Sequence, residues 1–410
     1  MLNKSKFDKN SGVNFLLSRE TQGIKLGLSR TEQLLSLCNN PEESLPSIQI
    51  IGTNGKGSTA AFLCHMLMSN GLKVGLYTSP HLIQLNERIQ INRRCIDNDY
   101  INSFVSLYKE HIIDLSCTFF ETLTALSLCY FNDNKVDIAI LETGLGGRYD
   151  SVTASSPSLQ LFTSISKDHM HILGQSIKEI ASEKAHAIKK NTPCISVPQE
   201  KDVEKVLNDF ALQQSTTIQY TTVANNNLYQ SPLIGDHQKD NILLAMEAAK
   251  KLYKVNDKII NRGIQSTFWP GRIQIIKKNP FVIFDVSHNE QSINKFCQTI
   301  KEYKFSGKKT LFISLQKTKK LEEATLKLIN FFDRIICVQL NERMYNTSTL
   351  VEIFEDSINL DKTDNPYNAI KNLIQESENN DLIAIIGSHY WGEHIEKIFK
   401  ISLVDTQYKL

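Results

Sequence analysis

The sequence predicts two α/β domains, a first over residues 1–270 built on a parallel-rich sheet and a smaller second over residues 271–410. Three observations lead there. Short apolar runs alternate with helical patterns, which is the arrangement of a parallel sheet covered by helices on both faces. The alternation stops at Trp269-Pro270-Gly271 and then restarts, and proline beside glycine ends regular structure. A chain of 410 residues also exceeds what one ordinary core organises.

In chain order, strands are expected at residues 48–51, 73–77, 137–141, 159–163 and 193–197. A helix is expected over 59–70, with Phe62, Leu63, Met66 and Leu67 on one apolar face and Gly71 closing it. Helices at 236–252 and 257–265 lead to the boundary. Beyond it, strands are expected at 281–285, 310–314, 334–338 and 382–386, with helices near 291–303, 321–332 and 367–377. Residues 225–231 read as a polar loop, and there is no internal repeat or low-complexity tract.

Hydrophobic content of 41% with 22% charged residues is that of a globular protein in water. A net charge of +2 gives no electrostatic reason to expect nucleic acid or an anionic membrane as partner, and small-molecule chemistry is the better expectation. The eight cysteines are scattered singly, without the paired spacing of a zinc or redox site. Residues 1–14 are polar and lysine-rich, unlike a signal peptide, and no apolar stretch approaches bilayer length. A reducing cytoplasm is the expected location.

The most informative stretch is Gly52 to Ser58, Gly-Thr-Asn-Gly-Lys-Gly-Ser, directly after the apolar run Ile48-Gln49-Ile50-Ile51. A buried strand that stops at a glycine-rich turn and opens a helix aims unpaired N–H groups and the positive end of the helix dipole at one point. That point suits a phosphate. Lys56 adds a charge able to reach the outer phosphates, and Ser58 presents a hydroxyl for a phosphate or Mg²⁺. Only two residues separate Gly52 from Gly55, so the motif differs from the common phosphate loop and draws its weight from the flanking strand and helix.

Further polar residues stand at expected strand ends, where such sheets bind ligands. Glu142 leads into Thr143-Gly144-Leu145-Gly146-Gly147 and suits either a metal that bridges phosphates or a capping role. Asp168-His169 ends the next strand, with His171 competing for any role given to His169. Lys184 falls in a helical stretch where a lysine usually lies on the surface with its stem on the core. Arg272, Asp285, His288 and Asn289 follow the boundary turn and the next strand; turn and capping roles explain them as well as binding does.

Taken together, these segments resemble the folylpolyglutamate synthase and dihydrofolate synthase family, a branch of the Mur ligases. The resemblance rests on Gly23 to Leu28, Gly52 to Ser58, Thr78-Ser79-Pro80-His81-Leu82, Thr118-Phe119-Phe120-Glu121, Leu141 to Arg148, Asp168-His169 and Glu183-Lys184-Ala185. It continues through His237 to Asn241, Trp269 to Arg272, Asp285 to Asn289, and Gly387-Ser388 before Tyr390. The ordered set covers nearly the whole chain.

The resemblance implies a Mur-ligase-like phosphate-loop ATPase domain followed by a Rossmann-like glutamate ligase domain, with the nucleotide bound at their junction. It implies an enzyme in which ATP phosphorylates a substrate carboxylate and the amine of L-glutamate then displaces phosphate, acting on dihydropteroate and on reduced folates. Thr53, Asn54, Gly55, Lys56, Gly57 and Ser58 would hold the phosphates, while Asn241, Arg272 and Asp285 match further ATP contacts. Ser79, Glu142 and His169 would be Mg²⁺ ligands, and Lys184 matches a lysine that the family carbamylates, which would help organise a second metal ion. Lys56, Lys184 and His169 would therefore carry the catalysis. Gly27, Leu28, Ser29 and Arg30, Thr118 to Glu121, and Tyr149-Asp150-Ser151 match the dihydropteroate-binding segments, with Phe119 and Phe120 offering ring faces to a flat heterocycle. A monomer is expected.

Some residues depart from the family pattern. Asp150 is followed by Ser151-Val152-Thr153 where the family has Ala-Thr-Asn, and His186 follows Ala185 where glycine is common. Glu290 follows His288-Asn289 in place of proline. The first of these changes bears on the dihydropteroate pocket more than on the ATP site, and none of them touches a metal or phosphate group. Two alternatives follow: a synthase that only extends folates, and a nucleotide-binding regulator without turnover.

Overall fold

The computed structural model describes residues 11–222 and 229–403. Residues 1–10 of the lysine-rich N-terminus and residues 225–228 of the expected polar loop lie outside that range. The chain forms two compact units: Met1–Ile165, Gln175–Tyr229 and Asn241–Ser266 make the first, while Ser166–Gly174, Gln230–Asp240 and Thr267–Leu410 make the second. Two short segments that precede residue 271 thus group with the C-terminal part of the chain.

Among its described residues the first unit holds eight strands: β1 Ser47–Ile51, β2 Val74–Tyr77, β3 Ile89–Ile91, β4 Arg94–Cys95, β5 Ile138–Glu142, β6 Leu159–Phe162, β7 Cys194–Ser196 and β8 Ile218–Tyr220. They pair in the order β4-β3-β2-β5-β1-β6-β7-β8. From β2 to β8 every pairing is parallel, and β3 and β4 add an antiparallel edge. The central strands β1, β5 and β6 are buried throughout, which is why they read as unbroken apolar runs. All five predicted strands are present. The edge strands were not predicted, because β3 and β4 are two or three residues long and turn through Asn92-Arg93 with positive φ at both positions, without the usual Asn-Gly signal.

The registers Ile50↔Glu142 and Ile51↔Phe162 align the ends of β1, β5 and β6, so the loops that follow them begin side by side. Gly147, in the loop after β5, lies against the helix Ile177–Ala185. A Cβ on Gly147 would meet the carbonyl oxygen of Lys184 at 2.7 Å and its Cα at 2.9 Å. Both are backbone atoms that no side-chain rotation can move aside.

The second unit carries β9 Gln274–Lys278, β10 Phe281–Phe284, β11 Lys309–Ile313, β12 Arg334–Val338, β13 Leu360–Thr363 and β14 Leu382–Ile386, in the order β13-β12-β11-β14-β10-β9. Only the β9–β10 pairing is antiparallel. The four predicted strands form its centre. The edge strands β9 and β13 are half exposed and mix lysine and aspartate with their apolar residues, which hid them. Ile283, Ile293, Phe296, Leu311, Leu328 and Ala384 belong to one buried core, and Trp391 at the start of the last helix donates to the carbonyl of Ile386 at 2.9 Å. Among the described residues no helix is long and apolar enough to cross a membrane.

Gly147→Ala is expected to destabilise the first unit by about 1–3 kcal/mol, the usual cost of overfilling a packed interior. Thermal unfolding of the purified variant measures it, and an unchanged midpoint contradicts the tight packing of loop on helix.

Candidate functional site

In the first unit, β1 ends at Ile51 and the helix Lys56–Ser69 begins five residues on. Gly55 caps that helix with φ of 93°, a left-handed conformation that favours glycine, and a Cβ there would lie 2.4 Å from Oδ1 of Asn241. Asn241 Oδ1 also accepts from the Thr59 hydroxyl at 3.3 Å, which fixes the amide against the loop. The backbone N–H groups of Thr53 and Asn54 both donate to the carbonyl of Ser164 beyond β6, at 2.9 and 3.2 Å, tying the loop to the neighbouring strand end. The N–H groups of Lys56, Gly57 and Ser58 lie in the first helical turn, where the helix itself supplies no acceptor.

Two lysines converge on one carbonyl. Lys56 Nζ donates to Gly52 O and to Thr53 O, each at 3.2 Å, and lies 4.0 Å from Glu142 Oε1. Lys184 Nζ donates to the same Gly52 oxygen at 2.8 Å and is 4% exposed. A helix-surface lysine was the residue-by-residue expectation for Lys184, and the structure corrects it: the helix Ile177–Ala185, capped by Ser176 and Glu179, turns this side chain inward beneath the loop. Glu142 is 4% exposed at the end of β5, and its Oε2 accepts from the backbone N–H of Ser79, just beyond β2. The first unit thus gathers Gly52 to Ser58, Ser79, Glu142, Lys184 and Asn241.

The segments expected to hold a heterocycle are also in this unit. Arg30 Nε donates to Glu121 Oε1 at 2.9 Å, joining the helix Ser29–Leu37 to the helix Phe119–Asp133. Thr118 and Glu121 form a reciprocal capping box at the start of the latter. Their shared work is therefore structural as well as positional. The Arg88 guanidinium lies 5.1 Å from the Phe119 ring centroid, and Phe120 packs on Gly144 and on Tyr77. Ser151 shares a 2.5 Å hydrogen bond with Thr124, and Thr153 donates to Gly147 O at 2.8 Å, so the departing Ser-Val-Thr segment is bonded into the interior. Tyr149 is half exposed with Arg148 over its ring at 5.1 Å. Gly27 and Leu28 lead into the helix Ser29–Leu37, which Leu28 caps.

Asp150 is buried, and its carboxylate accepts from the N–H groups of Leu145 at 2.8 Å and Val152 at 3.0 Å. Burial pushes its pKa up to about 6, against the opposing pull of those N–H groups and of Lys56.

His169, Arg272 and Asp285 belong to the second unit. Asp285 accepts from the N–H groups of Ile273 and Ser287, each at 2.7 Å, and from the Ser287 hydroxyl. Arg272 Nη1 donates to Gly271 O at 3.1 Å. His169 adopts φ of 49° and caps the short helix Met170–Leu173. Beside it, Asp168 receives Lys319 Nζ at 2.6 Å and Asn289 Nδ2 at 2.9 Å. Burial works to raise the Asp168 pKa, but Lys319, His169 and His288 outweigh it and hold the carboxyl well below its ordinary range. Lys319 was not anticipated: it sits in Lys317-Thr318-Lys319-Lys320, a run that reads as solvated charge, and nothing local marks the one lysine that is 5% exposed.

A buried strand running into a glycine-rich loop and helix, with lysines and a carboxylate gathered at the strand ends, defines a phosphate-loop enzyme that handles nucleotides. Residues 50–249 match the Mur ligase middle domain and residues 271–389 the Mur ligase, glutamate ligase domain. The chain is 32% identical over 413 residues to the dihydrofolate synthase/folylpolyglutamate synthase of Bacillus subtilis, covering 92% of this chain and 96% of that protein. It is 26% identical to the protein of the same name from Escherichia coli, covering 95% of this chain and 94% of that one. Among solved structures, E. coli FolC in complex with DHPP and ADP superposes with a TM-score of 0.87 at 26% identity, covering 95% of this chain and 97% of that chain. The chain belongs to the Mur ligase family, in the branch of dihydrofolate and folylpolyglutamate synthases.

The raised pKa of Asp150 gives a pH signature. The folded carboxyl holds its proton more tightly than the unfolded one, so its contribution is full below about pH 3.9 and is lost as pH rises through about 6. Relative to the parent, Asp150→Asn is expected to gain roughly 2 kcal/mol between about pH 4 and pH 7. Unfolding midpoints of the two proteins across that range measure it, and a constant difference contradicts the shift.

Proposed function

We propose that this chain is an ATP-dependent amide ligase that joins L-glutamate to dihydropteroate and extends reduced folates by further glutamates, through an acyl phosphate. The observation that carries this reading is the convergence of Lys56 and Lys184 on the Gly52 carbonyl, with Glu142 beside them, at the mouth of a phosphate loop. The DHPP and ADP bound to the E. coli relative support the choice of acceptor and nucleotide.

A carboxylate is a poor acylating agent, so one of its oxygens must first become part of a leaving group. The helix N-terminus at Lys56 to Ser58 supplies oriented N–H donors to ATP phosphates, and the Lys56 ammonium stabilises the charge that gathers on the transferred phosphoryl group. Thr53 and Asn54 contribute side chains, since Ser164 engages their N–H groups. Asn241 braces the loop, and Arg272 and Asp285 are the further nucleotide-binding residues of the proposal. Arg30, Thr118 to Glu121 and Tyr149 to Ser151 shape the acceptor site, with Gly27 to Ser29 at its entry.

Mg²⁺ binds through one or two protein oxygens together with substrate phosphates. The buried Glu142 carboxylate and the adjacent Ser79 fit that donor chemistry, and His169 completes the proposed set. Held by these residues, the ion would supply positive charge against the phosphates. Among the described residues no cluster of three or more His, Cys, Asp or Glu forms an all-protein metal cage. Carbamylation of Lys184 would turn a buried cation into an anion suited to a second ion. The eight free cysteines support a reducing, cytoplasmic setting, and the net charge of +2 supports small molecules as partners.

Purified protein with ATP, Mg²⁺ and L-glutamate is expected to release phosphate with dihydropteroate and with tetrahydrofolate. Release with tetrahydrofolate alone selects an extension-only enzyme, and silence with both rejects the proposal. Lys56→Ala is expected to lose roughly 3 kcal/mol of transition-state stabilisation, about a hundredfold in turnover; near-normal turnover removes Lys56 from the chemistry. Lys184→Ala is expected to be inactive and to recover in part with added short carboxylic acids, whereas an unaffected variant removes Lys184 from the site.

A further inference from the structure

The chain leaves the first unit after Ile165 and re-enters it at Gln175. The nine residues between, which include His169, group with the second unit. Three contacts hold them there. Asp168 Oδ1 receives Lys319 Nζ at 2.6 Å, Asp168 Oδ2 receives Asn289 Nδ2 at 2.9 Å, and His288 Nε2 lies 3.8 Å from the same Oδ2. Lys319 Nζ also reaches His169 Nε2 at 3.2 Å. The side chains of Lys319 and Asp168 are 4% and 9% exposed, so water screens this pair little.

The partners are themselves fixed. Asn289 caps the helix Glu290–Lys301, its Oδ1 accepting from Ser292 N at 3.0 Å while its Nδ2 serves Asp168. The Lys319 backbone donates to Gln316 O at 2.9 Å and accepts from the Tyr345 hydroxyl at 3.2 Å. On the other side, Asp168 Oδ1 accepts from His169 N at 2.7 Å, across a residue whose positive φ is sparsely populated outside glycine. The carboxylate thus links a rigid part of the second unit to the backbone turn that aims the histidine.

We infer that Lys319 is a positioning residue: through Asp168, and together with Asn289, it fastens the segment 166–174 to the second unit so that this unit carries His169. The inference rests on the proposed role of His169 at the metal. Lys319 does its work without touching substrate.

The test combines amide hydrogen exchange of the full chain, without ligands, with the Mg²⁺ and L-glutamate dependence of phosphate release. In Lys319→Met, exchange across residues 166–174 is expected to speed by about tenfold or more while β11 and β14 stay protected, and half-saturating Mg²⁺ is expected to rise about ten- to a hundredfold at an unchanged KM for L-glutamate. Lys319→Arg, which keeps a cation, is expected to retain most of the protection. The double variant Asp168→Asn with Lys319→Met removes both charges and leaves no unpaired buried carboxylate, so it reads the segment even where the single variant fails to fold; its segment is expected to stay loose. Unchanged exchange in 166–174, full protection in the double variant, or a raised KM for L-glutamate with unaltered Mg²⁺ dependence overturns the inference. Exchange needs no turnover, so an inactive parent protein would reject the ligase reading and leave this test standing.

Discussion

The structure depends on one oxygen. The carbonyl of Gly52, at the end of the most central strand, receives both Lys56 and Lys184, and the two side chains are largely removed from water. Buried cations are costly unless anions or strong acceptors answer them. Two ammonium groups gathered at this carbonyl, with the Glu142 carboxylate 4.0 Å from Lys56, make a site that favours added negative charge. A triphosphate brings that charge, and the helix dipole points the same way.

The surrounding fold keeps that oxygen in place. The register of β1 with β5 and β6 sets Glu142 and Ser164 on either side of the loop, and Ser164 uses two loop N–H groups to hold it down. Gly147 lets the helix bearing Lys184 approach within backbone contact of the loop after β5. A buried ladder in which Gln49 bonds Thr153 and Gln160 at 2.9 and 2.6 Å ties β1 and β6 to the segment that follows Asp150. The phosphate loop and the segment that follows Asp150 are therefore braced by the same strands.

Much of this was legible in the sequence because it is local. The run Ile48 to Ile51 followed by a glycine turn and an amphipathic helix announces its own geometry, and each central strand is an apolar run of the right length. What escaped is set by tertiary placement. Lys184 and Lys319 look like surface lysines, since only the packing of distant elements buries them. The use of Thr53 and Asn54 N–H groups by Ser164 lies across more than a hundred residues of chain. The edge strands β4, β8, β9 and β13, and β3 beside β4, are short or carry polar residues, so periodicity gives them little signal. Resemblance to a family placed Lys184 in the site where residue-by-residue reasoning did not.

If the loop grips ATP so that an acceptor carboxylate attacks the terminal phosphorus, one carboxylate oxygen must leave with the phosphate. An acceptor labelled with heavy oxygen in its reacting carboxylate, turned over with ATP and L-glutamate, reports this through mass analysis of the released phosphate. One labelled oxygen per phosphate is the expected result. Unlabelled phosphate released along with the amide product would contradict activation of the carboxylate at this loop.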